Sequence, residues 1–363
     1  MNTGQLDRIL YNINLYRHHW GFYLSQRHLL KSGSLPHLTQ AEKSELKKIW
    51  PAMPFRCMDY IWYRIYKKEN GFSPFYLSEM QVWYMLEKLN PYDQVVSLQN
   101  KALCDIYFPQ IPYPDVLVRC IGGLLYDRQL NHITLSEAFD ILKSRNSFII
   151  KPSVDTLQGK GVKKKEISPS FSESDLRNIF TETGKDFIVQ EVIHQHPELE
   201  KLNQTSLNTC RITSMYINNR FATSTIIKIG KKNSIKDNWN SSYIISIDKD
   251  GYFKEYGYDN CLKRVYKSDN GHLFKGQKIP SYNRMIQFVE ETHRQLFPQC
   301  GIIGWDITID NHDEISVIEL NMTCPGLAAE QLASGCFLQP FAEDINTQML
   351  ARKEYHTYRK NII

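Results

Sequence analysis

The stretch Gly301-Ile302-Ile303-Gly304-Trp305-Asp306-Ile307-Thr308-Ile309, followed after a short turn by Val317-Ile318-Glu319-Leu320-Asn321, decides how this chain is read. Two apolar runs flank Asp310-Asn311-His312-Asp313, residue types that favour turns, so the segment reads as a β-hairpin. With the turn centred on Asn311 and His312, Ile302 faces Asn321, Gly304 faces Glu319 and Asp306 faces Val317. Side chains alternate along a strand, which puts Asp306, Glu319 and Asn321 on one face. Two carboxylates and an amide oxygen are hard ligands of the kind that Mg²⁺ takes together with phosphate oxygens and water. A one-residue slip would turn Asp306 to the other face. The competing reading is a hairpin whose polar residues simply meet solvent.

The 363 residues suffice for two or three subdomains with a proper core, and 42% hydrophobic with 23% charged residues is ordinary for a folded chain. The 44 basic and 39 acidic residues leave a net charge of +5, too small an excess to argue for nucleic acid. Lys163-Lys164-Lys165 reads as a solvated turn or strand end, with a phosphate role as the alternative. The eight cysteines (57, 104, 120, 210, 261, 300, 324 and 336) form no CxxC pair and have no histidine at metal spacing. They read as reduced residues of an intracellular protein. Met1 to Arg8 lacks the basic-then-apolar pattern of a secretory signal, and no apolar run approaches the ~20 residues that span a bilayer. The expectation is a cytoplasmic protein without stable membrane insertion; a homo-oligomer stays open.

Residues 1–95 read as a helical region rich in aromatic and basic side chains. Thr39-x-x-Glu42 and Ser78-x-x-Gln81 match the capping box at a helix start. Trp50, Tyr60, Trp62, Tyr63, Tyr66, Trp83 and Tyr84 suit a packed helical layer, with stacking on a sugar or base as the lesser option. Pro109, Pro112 and Pro114 lead into the strand Val116-Leu117-Val118, and Thr134-x-x-Glu137 caps a helix through about Leu142. Strands follow over 147–151, stopped by Pro152, then 162–167 and 186–191, with a helix beginning near Ser172. Further strands are expected at 209–217, 221–230, 243–248, 301–309 and 314–321, a helix over 281–296 and a C-terminal helix from about 340. The order lacks the regular alternation of a doubly wound sheet and predicts an α+β fold with antiparallel sheets.

Several polar residues fall at strand ends. Lys151 closes a strand with an ammonium suited to phosphate, and Gln158-Gly159-Lys160-Gly161 offers backbone amides to phosphate oxygens. This glycine loop is neither a Walker A loop nor a dinucleotide fingerprint. Gln190-Glu191-Val192-Ile193 leaves a strand and could present backbone N–H and C=O groups to an adenine edge. Arg211, within a strand, is a candidate bidentate clamp for phosphate or an oxyanion.

Taken in order, these elements resemble the ATP-grasp superfamily, and more closely the sugar-transfer-associated ATP-grasp proteins of polysaccharide biosynthesis. The resemblance is carried by Phe148 to Ser153, Gly159-Lys160-Gly161-Val162, Ile188 to Glu191, Gln195 to Leu199, Leu202-Asn203 and Ser206 to Thr213. It continues through Asp237-Asn238-Trp239, Ile303 to Ile307, Glu319-Leu320-Asn321 and Pro325-Gly326. It implies an ATP-grasp fold in which two α+β subdomains, 96–195 with the glycine loop and 196–363 with the metal site, sandwich the nucleotide behind the helical region 1–95. By position, Lys101 and Lys151 would contact α- and β-phosphates under Gln158, Gly159, Lys160 and Gly161. Gln190, Glu191 and the Val192 and Ile193 backbone would hold adenine. Asp306, Glu319 and Asn321 would bind Mg²⁺, two ions being typical, while Arg211 and Lys228 would face the transferred phosphoryl group of ATP. Glu319 to Gly326 is also similar to the metal and substrate segment of D-alanine–D-alanine ligases. Two departures stand out: Val154 to Gly159 is poor in glycine, and Lys101 has no acidic residue before it.

The implied reaction starts with a substrate carboxylate attacking the γ-phosphoryl of ATP, giving an acyl phosphate and ADP. An amine then displaces phosphate to form an amide, a sequence that needs charge neutralisation and alignment more than a protein nucleophile. No catalytic base is evident; His194 and His196 read as structural, and Glu198 is placed as a ribose contact. The resemblance suggests an amino acid or other amine joined to a carboxylate-bearing sugar in a capsular or cell-surface polysaccharide, with either partner as acyl donor. The rivals are a phosphotransferase using the same nucleotide site and a non-catalytic nucleotide-binding partner of a glycosyltransferase.

Overall fold

Capping chemistry sets most helix starts. Reciprocal side-chain and backbone bonds join Thr39 with Glu42, Ser78 with Gln81, Thr134 with Glu137 and Ser172 with Asp175. The computed structural model describes residues 35–55, 59–154, 160–234 and 241–351. Its longer helices are α1 (Gln40–Ile49), α2 (Asp59–Asn70), α3 (Glu79–Leu89), α4 (Leu135–Lys143), α5 (Glu173–Thr183), α6 (Tyr282–Leu296), α7 (Leu327–Ser334) and α8 (Ala342–Ala351). The strands are β1 (Val116–Ile121), β2 (Leu124–Tyr126), β3 (Ser147–Pro152), β4 (Lys163–Glu166), β5 (Phe187–Gln190), β6 (Thr209–Ile217), β7 (Arg220–Gly230), β8 (Ser242–Ile247), β9 (Phe253–Tyr258), β10 (Arg264–Val265), β11 (Ile302–Ile309) and β12 (Ile315–Asn321).

These strands form a five-stranded sheet, β2-β1-β5-β3-β4, and a seven-stranded sheet, β10-β9-β8-β7-β6-β11-β12. Their pairings are antiparallel, as the absence of βαβ alternation predicts. Pro152 is itself the last residue of β3, where its missing N–H costs the ladder least, and not a residue beyond the strand. The Lys163 to Lys165 run lies on the edge strand β4, with Lys163 paired to Glu182 and Lys164 to Glu166 at the surface. Strands β2, β9 and β10 and helix α7 have no counterpart in the sequence expectation. β9 (Phe253-Lys254-Glu255-Tyr256-Gly257-Tyr258) is too polar and glycine-broken to alternate cleanly.

The decisive hairpin departs from the expected register. Gly304 pairs with Asn321 and Asp306 with Glu319, whereas nearer the turn Ile307 pairs with Val317 and Ile309 with Ile315. The register shift leaves Ile318 as an extra, unpaired residue, a β-bulge. The expected pairing of Asp306 with Val317 is thereby corrected. The conclusion about faces survives because the bulge inverts the alternation on one strand only: Val317 turns into the core with Ile307, and Glu319 stays beside Asp306.

One face of the large sheet is apolar. Ile212, Ile227, Trp305, Ile307 and Leu320 lie beneath Tyr282, Met285 and Val289 of α6 in one cluster. On the other face, Ile226 and Ile244 pack with Tyr63 and Tyr66 of α2 and Leu332 of α7. Met215 and Ile302 on that face pack with Leu86 of α3 and Ile345 of α8. The expected aromatic helical layer is thus core: Trp50, Trp62, Tyr63 and Tyr66 are buried in it. Asn90, at the end of α3, clamps the hairpin by accepting from Gly301 N and donating to the Ile302 and Met322 carbonyls. Among the described residues no helix is long and apolar enough to cross a membrane, and the described cysteines are free thiols.

Candidate active site

Three directly paired residues run across neighbouring strands on the face turned away from α6: Glu319 on β12, Asp306 on β11 and Arg211 on β6. Arg211 grips Asp306 with two bonds, Nε to Oδ1 at 2.7 Å and Nη2 to Oδ2 at 2.9 Å. Its Nη1 donates to the Pro325 carbonyl. Lys228 Nζ, from β7, lies 3.0 Å from Asp306 Oδ1, and Lys101 Nζ lies 3.3 Å from Glu319 Oε1. Asn321 fits between them: with its amide turned end for end, the oxygen accepts from Arg211 Nη2 and the nitrogen donates to Glu319 Oε1, both at 3.3 Å. Lys151 reaches over from the small sheet and donates to the Ile318 carbonyl at 3.4 Å. That carbonyl belongs to the bulged residue, so the irregularity that sets the hairpin register also supplies the bridge between the sheets.

Lys101 and Arg211 are held by the surrounding fold. The Lys101 segment is fixed by buried Arg119, which bonds both Asp105 oxygens and the Ala102 carbonyl. Lys101 N also donates to Ser153 O, tying it to the end of β3. A Cβ at Gly304 would approach Arg211 Cδ to 3.3 Å and Pro325 Cβ to 3.2 Å, so glycine leaves room for the arginine stem. Gly326, at φ +74°, turns the chain into α7. Gln99 accepts from the Met322 and Thr323 amides, holding the segment after β12.

The electrostatics favour anions. Lys101, Lys151, Arg211 and Lys228 outnumber Asp306 and Glu319 by two charges. Burial alone would raise the Asp306 carboxyl, but the Arg211 guanidinium and Lys228 outweigh it and hold it well below the usual carboxylate range. Burial, reinforced by the Lys101 charge, pushes the Lys151 ammonium down to about 8. An added phosphate oxygen there would relieve both penalties. Among the described residues no cluster of three or more His, Cys, Asp or Glu is present. The metal-capable donors are therefore two carboxylates and an amide oxygen, whose chemistry fits Mg²⁺ completed by phosphate and water.

The remaining expected residues are less concentrated. Gln158 and Gly159 lie outside the described residues, as do Asp237, Asn238 and Trp239. Lys160 is exposed in a turn, and Gly161 sits at φ +82° where a Cβ would come within 2.7 Å of Pro152 Cγ. Gln190 spends its amide on the Pro114 carbonyl, and Glu191 N donates to Asp115 O. The Glu191 carboxylate forms a half-exposed pair with Arg145 at 2.9 Å, while Val192 and Ile193 run half-buried outside both sheets. His196 Nδ1 accepts from Glu198 N as a helix cap, and the Glu198 carboxylate pairs with Lys201. Glu330 on α7 was not singled out by sequence, and Thr213 on β6 entered only as the end of the segment Ser206 to Thr213. Glu330 is a fully buried carboxyl whose Oε2 accepts from Thr213 Oγ1 at 2.5 Å. Its one sequence signal is an acidic residue inside an apolar run, Leu327-Ala328-Ala329-Glu330.

Known structures offer distant likenesses. D-alanyl-alanine synthetase A from Vibrio cholerae O1 biovar eltor str. N16961 matches 70% of this chain and 65% of its own at 10% identity and a TM-score of 0.42. D-cycloserine synthetase DcsG matches 68% and 70% at 14% identity and 0.41, and L-amino acid ligase from Bacillus licheniformis 65% and 42% at 12% and 0.34. The chain thus spans from about two fifths to seven tenths of the lengths of these three. No curated protein sequence matches it. The pattern described as sugar-transfer associated ATP-grasp matches residues 81–347, which takes in both sheets and every charged residue of the row, so the chain belongs to the sugar-transfer-associated ATP-grasp family.

Proposed function

We propose that this protein is an ATP-dependent, ADP-forming carboxylate–amine ligase that joins an amino acid or other amine to a sugar acid during assembly of a capsular or cell-surface polysaccharide. The observation that carries the proposal is the convergence of Lys101, Arg211 and Lys228 on Asp306 and Glu319, with Lys151 beside them on the Ile318 carbonyl. Such a cluster neutralises a polyphosphate and aligns it for transfer, and phosphoryl transfer asks little else of a protein. Lys101 and Lys151 take the α- and β-phosphates, with Lys160 and Gly161 beside them. Glu191, Val192 and Ile193 border the adenine. Arg211 and Lys228 stabilise charge on the transferred phosphoryl group and on the tetrahedral oxyanion that forms when the amine attacks. Mg²⁺ held by Asp306, Glu319 and Asn321 supplies further neutralisation of the phosphate oxygens.

The test is ADP release from ATP with panels of amines and carboxylates, alone and paired. The expected result is release that needs both partners and that Glu319→Gln lowers by about 10²-fold or more. Product formed without an amine would replace the ligase by a phosphotransferase. Nucleotide binding with no turnover in any pairing would leave a binding partner of a glycosyltransferase.

A further inference from the structure

Helix α7 begins immediately after Gly326, and Glu330 lies four residues on, hence on the same helical face. The start of α7 stands beside the guanidinium of Arg211, since a Cβ at Gly326 would lie 3.7 Å from Arg211 Nη1. Below the helix, Thr213 lies two residues from Arg211 along β6, on the same side of the sheet, and bonds Glu330 Oε2. Glu330 Oε1 makes no hydrogen bond of ordinary geometry although the residue is fully buried; the Ser224 hydroxyl on β7 acts on the carboxyl from nearby. A buried polar atom without a partner is costly, and one in a charged neighbourhood asks what fills it. Burial pushes the Glu330 carboxyl up to about 7, against the opposing pull of the Thr213 and Ser224 hydroxyls and the Arg211 charge.

Arg211 has a complementary difficulty. Both of its bonds to a carboxylate go to Asp306, the central residue of the candidate metal set. A cation at Asp306 would have to share the carboxylate oxygens with the guanidinium and with Lys228, whose positive charges oppose it. We infer that Glu330 is a positioning residue whose free Oε1 is the second seat of Arg211, so that the guanidinium turns from Asp306 towards Glu330 when nucleotide and metal fill the row. This rests on the metal assignment above. It gives the buried carboxyl a partner and keeps Arg211 neutralised after Asp306 has been surrendered.

The experiment is calorimetric titration of the full chain with a non-hydrolysable ATP analogue, with and without Mg²⁺, with Mn²⁺ paramagnetic resonance as a direct report of bound metal. Glu330→Gln keeps the shape and the Thr213 bond and removes the charge. Its metal-free affinity should stay within about twofold of wild type, while the gain on adding Mg²⁺ falls by about tenfold or more. Thr213→Val keeps the charge and removes only the hydrogen bond, and should retain the gain. It also carries the test if Glu330→Gln does not fold. An undiminished gain in Glu330→Gln, or its loss in Thr213→Val, overturns this inference while leaving the metal set in place. A wild type whose affinity ignores Mg²⁺ overturns the metal set and this inference together.

Discussion

The two faces of the seven-stranded sheet are built by the same strands and serve opposite ends. Trp305 and Asp306 are neighbours in sequence, yet one is sealed beneath α6 and the other is paired with Arg211 and Lys228. On β6, Arg211 and Ile212 divide in the same way. The apolar face gains stability from area removed from water, whereas the polar face spends stability on charges held in poor solvent. The charged row is flanked on its own face by two apolar clusters, under α2 and α7 on one side and α3 and α8 on the other. The charged row is thus confined to a strip a few residues wide between apolar clusters.

The largest expected break between the faces is Trp305→Ala. Its ring is fully buried against Phe288 and Phe297, and its Nε1 donates to Ser214 Oγ at 2.7 Å. Truncation should cost about 3–5 kcal/mol in a denaturant melt. A loss under about 1 kcal/mol would mean that the apolar face is not where stability resides.

Acid should expose the same face next. His293 of α6 is buried, accepts from Ser214 Oγ on Nδ1 at 2.7 Å and donates from Nε2 to Cys300 O at 2.9 Å. Burial pushes this imidazole down to about 4, and the Arg294 charge adds to it, against the Cys300 bond. Because the folded value lies below the ordinary 6.5, the unfolded chain takes the proton more readily. The stabilisation is whole above pH 6.5 and is lost as pH falls from 6.5 towards 4, at up to about 1.4 kcal/mol per unit. Urea melts at pH 7.0, 5.5 and 4.5 should show this slope, and His293→Gln should flatten it. An equal slope in the variant would assign the acid sensitivity elsewhere.

How legible all this was depends on whether a signal is local. Capping boxes at Thr39, Ser78 and Thr134 were readable because a cap is decided within four residues. The long strands β6, β7 and β11 were readable from unbroken apolar or alternating runs. Asp306, Glu319 and Asn321 were placed on one face correctly, though through a register that the bulge at Ile318 alters. A bulge depends on the partner strand, and its carbonyl meets Lys151 from the other sheet, neither of which a local pattern reports. Glu330 was missed for the same reason, since its meaning depends on Thr213, more than a hundred residues away in sequence. Glu191 was legible as a linker residue, but its pairing with Arg145 comes from the end of another helix and was not.

The finest distinction concerns Lys151, which belongs to the small sheet yet serves the large one. If the polar strip trades stability for function, replacing this ammonium by an apolar side chain of similar length should separate the two. Lys151→Met removes a charge already pressed down to about 8 by burial and by Lys101, and gives up a long 3.4 Å bond to Ile318 O. Chain stability should hold within about 1 kcal/mol or rise, since burying an apolar group in place of a charge is often neutral or better. Affinity for the ATP analogue should fall by about tenfold, the scale of one charge-assisted bond to phosphate. Calorimetry and a urea melt on the same preparation read both. Unchanged affinity would take Lys151 out of the phosphate site, and a stability loss above about 1 kcal/mol would make its bridge to the bulged carbonyl a structural tie between the sheets.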